Sequence, residues 1–281
     1  MIGASPPVSL ELLQGDGLRI GRLGARLAAS SADIEAVQSL RYQVFYEEMA
    51  AKPDEEMAAA RRDIDRFDAY ADHLMVFDHT IGEGPEAIVG TYRLMRREIA
   101  AKAGQFYSVD EYDISPLVDQ PGDILELGRS CVHADYRDRP TMQLLWRGLA
   151  AYVFHYDIGF MFGCASFPGV DPDEHAMAFS YLHHQHRAPA GLCPVAVKDR
   201  YVDMNRVPAD QINEKQALME MPPLIKGYLR LGAKFGDGAV IDPQFHTTDV
   251  CVVVKTDTVT SKYYDHYQRR ITDADEERTR N

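Results

Sequence analysis

The chain has 281 residues, of which 46% are hydrophobic and 26% are charged, a composition typical of a globular protein with one large domain or two small ones. Its formal net charge of -13 at pH 7 argues against nucleic acid as the main partner. The four cysteines form no CxxC pair, so they predict neither a zinc site nor a disulfide framework and fit a reducing cytoplasm.

The N-terminal half alternates between helical patterns and short apolar runs. Ile34, Val37 and Leu40 recur at helical spacing behind the capping residues Ser30 and Ser31. The predicted elements are, in order, a loose leader (1–17), a strand (18–29), a helix (33–49), a mobile helix or loop (53–62), an irregular acidic turn (63–68) and a hairpin of two strands (73–77 and 87–95).

The C-terminal half contains the most apolar segments of the chain. The predicted elements are a loop-rich segment that has room for a short helix (104–122), a central strand (124–132), a buried helix (141–155), a strand (159–167), two helices (171–184 and 224–231), a strand (250–255) and a charged tail (256–281). This order predicts an α/β protein of the α+β type, with a mixed, mostly antiparallel sheet flanked by helices. No linker divides residues 18–255, so we expect one domain there.

The central strand carries two charges inside an apolar run. Glu126 and Arg129 are expensive to bury unless they are paired or used in chemistry. A cationic turn with Arg137 and Arg139 follows, and a helix begins at Thr141. A strand, a cationic turn and a helix N-terminus together can cradle a phosphate, so we place the chemistry here.

The turn after this strand resembles the acyl-donor motif of the GNAT acyltransferase superfamily. The segment 132–137 (VHADYR), followed by Leu144 and Leu145, carries the resemblance. The family has glycines in this turn, whereas this chain has the sequence RDRP over 137–140. This difference suits a donor carried by acyl carrier protein, whose acidic surface would meet the arginines. The resemblance implies four acyl-donor-binding residues: Val132, Arg137, Arg139 and Thr141.

Two further resemblances cover most of the chain. Four segments occur in the order seen in acyl-homoserine-lactone synthases: 41–45 (RYQVF), 65–68 (DRFD), 90–94 (GTYRL) and 126–129 (ELGR). After Phe45 the chain has Tyr46-Glu47, where those synthases carry a Gly-Trp pair for S-adenosylmethionine. The segments 222–233, 236–242 and 247–250 resemble the ornithine N-acyltransferases of ornithine-lipid synthesis. This likeness extends over about residues 22–255 and outweighs the first.

The resemblance implies attack of an amine on an acyl thioester, with Glu126 and Arg129 as the catalytic residues. Glu126 is the candidate base, and its alternative role is to pair with Arg129 or Arg93. A strand bulge would supply backbone N–H groups for the oxyanion, and Gly128 would make such a bulge easy.

The implied substrate-binding residues are Arg93, Asp65, Asp68 and Arg41. Arg93 or Arg129 would clamp the substrate carboxylate. Asp65 or Asp68 would bind the distal amine, with a capped turn as the alternative role. For Arg41 we expect a tie from the first helix to one of these aspartates.

Two residue groups have competing interpretations. Phe154, Phe160, Met161 and Phe162 would line an acyl tunnel or belong to the core. The histidines 175, 183, 184 and 186 lack a metal-ligand motif, so we expect no metal. We also expect no cofactor beyond the acyl-phosphopantetheine of the donor.

The leading hypothesis is an ornithine Nα-acyltransferase that takes a 3-hydroxyacyl group from acyl carrier protein and makes lyso-ornithine lipid. The alternatives are an acyl-homoserine-lactone synthase and a non-catalytic module that binds acyl carrier protein or lipid. The sequence has neither a signal-peptide pattern nor an apolar run of about 20 residues. We therefore expect a cytoplasmic protein that docks on the inner membrane through its amphipathic product.

Overall fold

The computed structural model describes residues 10–15, 17–82 and 84–256. Within these residues, eleven strands belong to one mixed sheet. The strands are β1 (Leu18–Ile20), β2 (Leu23–Leu27), β3 (Asp72–Asp78), β4 (Ile88–Arg96), β5 (Tyr112–Asp113), β6 (Asp123–Val132), β7 (Ile158–Pro168), β8 (Val195–Ala196), β9 (Tyr201–Val202), β10 (Lys234–Asp242) and β11 (Thr247–Lys255).

Eight α-helices flank the sheet in the described part of the chain. They are α1 (Ser31–Tyr42), α2 (Glu55–Ala60), α3 (Arg97–Ala103), α4 (Ser115–Val118), α5 (Arg139–His155), α6 (Ala176–Gln185), α7 (Glu214–Glu220) and α8 (Pro223–Arg230). None of the described helices is both long and apolar enough to cross a bilayer.

The sheet is mostly antiparallel, which confirms the predicted fold class. The strand order is β1-β2-β3-β4-β6-β7-β11-β10-β8-β5, and β9 pairs with β10. Two neighbouring pairs are parallel, β6 with β7 and β8 with β10, and every other pair is antiparallel. The parallel pair at the centre is made possible by α5, which crosses over between β6 and β7.

The alternation along β6 divides the core between the two faces of the sheet. Leu125 and Leu127 join the main cluster, which packs against Leu144 and Leu145 of α5. Ile124 faces the other way, into a second cluster. Glu126 is on the same side as Ile124 by the period of two along a strand. The second face is therefore the one that receives the Glu126 side chain.

Helix α1 begins where the sequence predicts a cap. The Ser30 side chain accepts a hydrogen bond from the backbone N–H of Asp33, and Asp33 pairs with Arg26 at 2.8 Å. The α-helix ends at Tyr42, and a π-helical turn continues over Gln43–Glu48. The predicted helix over 33–49 thus has the right extent, but its last turn is wider than an α-helix.

Several element boundaries differ from the prediction. The single strand predicted over 18–29 is the hairpin β1–β2, which turns at Gly21 with a φ of +59°. Strand β10 has no predicted counterpart, because Gly236 and Gly238 weaken its strand pattern. Its partner β11 begins at Thr247, three residues before the predicted start. Helices α3 and α7 are also without a predicted counterpart.

The two ends of the chain are described only in part. In the predicted leader, Leu10–Leu13 form a 3-10 turn, and Leu13 is buried in the main core cluster. The rest of that leader falls outside the described residues, except for 14, 15 and 17. The predicted charged tail also lies outside them, except for Thr256.

Candidate active site

A β-bulge in β6 brings Arg129 to the side of Arg93. The register of β4 with β6 leaves Tyr92 facing two residues, Arg129 and Ser130. Arg129 has a φ of +48°, in the left-handed region that non-glycine residues rarely adopt. Gly128 precedes it, and a Cβ there would lie 3.7 Å from the Arg93 guanidinium. The bulge therefore lies next to the glycine that was predicted to permit one.

Three arginines and three aspartates form one charged network at this bulge. The members are Arg41 of α1, Arg93 of β4, Arg129 of β6, and Asp63, Asp65 and Asp68 from the segment between α2 and β3. Arg41 Nε lies 2.8 Å from Asp63 Oδ2, and its Nη2 lies 2.6 Å from Asp68 Oδ2. Arg129 Nε lies 3.1 Å from Asp63 Oδ2, and its Nη2 lies 3.2 Å from Asp65 Oδ2. Arg93 pairs with Asp65 and lies 3.4 Å from Asp68.

The network is balanced in formal charge, and its arginines favour the ionised form of two of its aspartates. Burial alone would raise the pKa of Asp68, but Arg41 and Arg93 hold that pKa well below its usual range. Burial likewise opposes ionisation of Asp65, and Arg93 with Arg129 lowers its pKa. Arg41 is fully buried and ties α1 to Asp68, one of the two aspartates that the sequence suggested for it.

Aromatic rings cover the guanidinium groups. The Tyr107 ring centroid lies 5.4 Å from Arg93 Cζ and 4.9 Å from Arg129 Cζ. The Phe245 ring centroid also lies 4.9 Å from Arg129 Cζ, and that of Phe67 lies 5.4 Å from Arg93 Cζ. Rings at these distances hold cations in place and exclude water from them.

Glu126 is buried and already has two hydrogen-bond donors. Its Oε2 accepts from the backbone N–H of Tyr107 at 2.9 Å, and its Oε1 accepts from that of Ser108 at 2.7 Å. Burial raises the pKa of the Glu126 carboxyl in spite of these bonds. Among the described residues no cation lies within ion-pair distance of it, although the Arg93 charge lowers its pKa. The alternative role of a direct pair with Arg93 or Arg129 is therefore not seen in this structure. The base role of Glu126 remains a prediction.

Asp65 and Asp68 lie in the network rather than facing an open site. Asp65 binds two arginines, and it also caps a turn by accepting from the backbone N–H of Phe67 at 2.9 Å. Asp68 binds Arg41 and Arg93 and accepts from the Gln38 side chain at 2.9 Å. Their charges are matched within the protein, so neither carboxylate attracts a further cation strongly.

The sheet opens between β6 and β7 beside the bulge. Their parallel pairing ends at Glu126 and Phe162, after which β6 pairs only with β4 and β7 only with β11. A Cβ on Gly163 would lie 2.1 Å from the Leu127 carbonyl oxygen, so the two backbones are still close there. The opening therefore starts beyond Leu127 and Gly163, next to the bulge at Arg129.

The predicted donor turn lies at the start of α5. Asp138 caps this helix by accepting from the Thr141 N–H at 3.0 Å, and Arg139 at its first position is exposed. Arg137 is exposed and pairs with Glu48, and its Nε donates to the Val132 carbonyl at 3.2 Å. Thr141 is fully buried. Of the four residues predicted to bind the donor, Val132 and Thr141 are buried, and Arg137 and Arg139 are exposed to a docking partner.

The predicted tunnel residues and histidines mostly pack in the core or make local hydrogen bonds. Met161 packs in the main cluster, whereas Phe160 and Phe162 pack in the second cluster. His175 shares a hydrogen bond with the Pro168 carbonyl at 2.7 Å, and His184 one with the Asn205 side chain at 2.8 Å.

A second charged group on the same side of the molecule has no counterpart in the sequence prediction. Glu111, Asp242 and Asp249 are buried, and one carboxylate oxygen of each lies within 4.8 Å of the others. Among the described residues, these three acids have a geometry that could hold a metal ion. Asp242 and Asp249 flank the turn between β10 and β11, whereas Glu111 is distant in sequence, so only the packing of the 107–111 segment brings it to them.

Sequence reasoning also missed three residues that contact the network. Asp63 belongs to the acidic segment that was singled out as irregular, and its spacing of two from Asp65 was the available signal. Tyr107 begins a 3-10 turn, Phe245 lies in the turn between β10 and β11, and neither belongs to a motif. Their contacts depend on tertiary packing, which a local pattern does not encode.

Comparison with known proteins adds the family. A model described as "Acetyltransferase (GNAT) domain" matches residues 40–147. The solved structure of FeeM, an N-acyl amino acid synthase from uncultured soil microbes, covers 85% of this chain and 94% of its own, with 11% identity and a TM-score of 0.47. Nothing about function follows from a likeness at this level.

The sequence relatives are much closer. A protein of Brucella abortus named L-ornithine N(alpha)-acyltransferase is 48% identical over 95% of this chain and 97% of its own length. Proteins of the same name from Rhizobium meliloti and Rhodobacter capsulatus are 48% and 41% identical over 89% and 88% of this chain, and over 85% and 95% of their own lengths. The chain therefore belongs to the L-ornithine N(alpha)-acyltransferase family and is an N-acyltransferase.

Proposed function

We propose that this enzyme transfers a 3-hydroxyacyl group from acyl carrier protein to the α-amine of L-ornithine and releases lyso-ornithine lipid. The observation that carries the proposal is the 48% identity to the Brucella abortus protein over 95% of this chain. In the reaction the amine nitrogen bonds to the thioester carbonyl carbon, the carbon–sulfur bond breaks, and the thiolate takes up the proton that the amine loses.

The bulge and the opening suit this chemistry. A thioester delivered between β6 and β7 would place its carbonyl beside the bulge at Arg129 and Ser130. Backbone N–H groups at such a bulge can donate to the oxyanion of the tetrahedral intermediate. Arg93 and Arg129 lie at the same point, and a guanidinium binds an amino-acid carboxylate well. Both already pair with Asp63 or Asp65, so the substrate carboxylate would compete with these aspartates for them. The attacking amine must be neutral, so the reaction also requires a proton acceptor.

Acyl carrier protein is our choice of donor because of the turn before α5. The GNAT resemblance implies glycines in this turn, and this chain has Arg137, Asp138, Arg139 and Pro140 instead. Arg137 and Arg139 are exposed. Cationic side chains at the entrance would attract an acidic carrier and speed its docking.

We propose a cellular location for the enzyme from the chemistry of its donor and its product. Acyl carrier protein is a cytoplasmic donor, and an acylated amino acid partitions into a bilayer, so we place the enzyme in the cytoplasm with peripheral contact at the inner membrane. Flotation with liposomes tests this contact: recovery of all the protein in the soluble fraction would count against it.

A reconstituted reaction tests the function. The purified enzyme is incubated with 3-hydroxyacyl-loaded acyl carrier protein and either L-ornithine or S-adenosylmethionine, and thiol release and products are followed by mass spectrometry. We expect Nα-acyl-ornithine with ornithine and no product with S-adenosylmethionine. Formation of an acyl-homoserine lactone without ornithine would contradict the proposal.

A further inference from the structure

The acidic group Glu111, Asp242 and Asp249 is deeply buried and close-packed. Its side chains are 2%, 7% and 6% exposed, and one oxygen of each lies within 4.8 Å of the others. Carboxylates at this separation repel one another unless they share protons or bind a cation. Burial and the Asp249 charge raise the pKa of Glu111 to about 7, and burial raises that of Asp249 to about 6.

None of the three acids forms an ion pair with an arginine or lysine in the described structure, although the Arg200 charge acts on Glu111 and Asp249. Asp63, Asp68 and Asp78, the other buried aspartates of the described chain, each form an ion pair with arginine. In contrast, Glu111 Oε2 and Asp249 Oδ1 are buried and have no hydrogen-bond partner. The neighbouring cation, Arg200, donates to the backbone carbonyls of Asp110 and Ile241 instead. An unpaired buried carboxylate is strongly unfavourable, so the group must either keep protons or receive a positive charge.

A hydroxyl beside the acidic group is also unsatisfied. Thr247 is 4% exposed, lies next to the Asp249 carboxyl and acts on its pKa, yet its Oγ1 has no hydrogen-bond partner in the described structure. A buried hydroxyl without a partner is uncommon and costs free energy. It offers a further oxygen to a cation that carries several N–H donors, as an alkylammonium does.

The acidic group adjoins the network at the bulge. Phe245 connects the two, because its backbone N–H donates to Asp242 Oδ1 at 3.0 Å while its ring faces Arg129. Tyr107 connects them a second time, since its ring faces Arg129 and the charge of Glu111 acts on its hydroxyl. Asp249 pairs with Ser166 on the part of β7 that has separated from β6.

We propose that Glu111, Asp242 and Asp249 bind the side-chain ammonium of the amino-acid substrate, an assignment that rests on the proposed function. The network at the bulge is neutral overall and cannot supply this negative charge. Ornithine has two amines, and the group would hold the δ-nitrogen as an ammonium without a nucleophilic lone pair. The α-amine alone would then be free to attack the thioester. The acidic group thus accounts for both substrate choice and the position of acylation.

The first test uses the unaltered enzyme and two amino acids. Norvaline has the carbon skeleton of ornithine but no δ-amine. Removing one partner of a buried, hydrogen-bonded charge pair lowers affinity by about 30-fold or more. We therefore expect kcat/KM for ornithine to exceed that for norvaline by about 30-fold or more. Equal values for the two amino acids overturn this inference and leave the proposed function standing.

The second test uses the near-isosteric variants Glu111→Gln and Asp249→Asn, with Glu98→Gln as a matched control. Glu98 is exposed and pairs with Lys102 on α3. We expect each acidic-group variant to reduce the preference for ornithine over norvaline by tenfold or more and to yield some δ-acylated product. The control should keep both the preference and the Nα position. An unchanged preference in soluble, folded variants overturns the inference.

Two other outcomes identify different explanations. A stoichiometric metal ion in the purified protein, lost in Glu111→Gln together with activity toward both amino acids, overturns the inference in favour of a metal site. Absence of thiol release with either amino acid overturns the proposed function and the inference together. The ratio of the two amino acids therefore separates the two claims.

Discussion

At the scale of single residues, carboxyl groups on one face of the sheet have very different surroundings. Asp68 is held ionised by arginines, Glu126 is held by two backbone N–H groups, and Glu111 lacks a partner for one oxygen. The difference comes from neighbours supplied by other elements rather than from residue type. Each environment predicts a different response to replacement by the neutral amide.

For Glu126, replacement by glutamine tests whether the side chain holds the 107–108 turn. The glutamine amide has one acceptor oxygen, so one of the two backbone N–H groups would lose its partner. We expect Glu126→Gln to lower the free energy of unfolding by about 1–3 kcal/mol in urea denaturation. If Glu126 acts as the base, kcat should also fall by about 10² to 10⁴. Unchanged stability would contradict the structural role.

For Glu111, the raised pKa predicts a stability that depends on pH. Its pKa of about 7 in the folded protein lies above its ordinary value of 4.5, so the folded state binds this proton more tightly. The contribution is fully present below about pH 4.5 and is lost as the pH rises through about 7. Relative to wild type, Glu111→Gln should therefore gain stability between these values, by about 1–3 kcal/mol.

Urea denaturation of wild type and Glu111→Gln at a series of pH values measures this difference. Titrations common to both proteins cancel in the comparison. A stability difference that stays constant from pH 4.5 to pH 8 would show that Glu111 is not a strained carboxylate.

At the scale of elements, the close approach of β7 to β6 just before the opening depends on one glycine. A Cβ at Gly163 would meet the Leu127 carbonyl oxygen at 2.1 Å, and backbone must move to relieve this overlap. We expect Gly163→Ala to cost about 1–3 kcal/mol in free energy of unfolding and to reduce activity. Gly191→Ala is the control, since a Cβ there meets nothing within 4 Å. Equal stability of the two variants would argue against close packing at the start of the opening.

The sequence predicts helices and strands well where the hydrophobic periodicity and the capping residues indicate the same element. The central strand and α5 follow directly from an apolar run and from a capped, almost wholly apolar helix. Strand β10 is missed because two glycines interrupt its pattern, and a register shift between Phe235 and Ala239 accompanies them. Gly128 indicated that a bulge was possible in β6, but the sequence did not predict the bulge itself. A bulge is defined by the partner strand as much as by its own residues.

At the scale of the whole molecule, the charged turn before α5 would guide the carrier. If acyl carrier protein docks there, Arg139→Glu should raise KM for the carrier-bound donor by about three- to tenfold, since charges at the rim of an interface mainly change association. The rate with an acylated pantetheine fragment that lacks the carrier should be unaltered. Arg230→Glu, an exposed charge at the end of α8, is the control. An equal loss with both donors would contradict carrier docking at this turn.

The candidate site was predictable only in part. The residue set 41, 65, 68, 93, 126 and 129 could be named from motif resemblance, and the structure brings all six to the same face of the sheet. What pattern could not supply is how they pair: Asp65 and Asp68 bind arginines, and Glu126 binds backbone. Pairing depends on packing over separations of up to 66 residues, as between Arg129 and Asp63. The acidic group is invisible to motifs for the same reason.

The central claim is that amine and thioester meet at the bulge, between β6 and β7, with the acidic group alongside. A crystal structure with L-ornithine and a non-hydrolysable acyl-pantetheine thioether tests it most directly. We expect the pantetheine arm between the two strands beyond Gly163, the α-nitrogen within about 3.5 Å of the acyl carbon that models the carbonyl, and the δ-nitrogen at Glu111 and Asp249. Either ligand bound on the α5 face of the sheet would contradict the account.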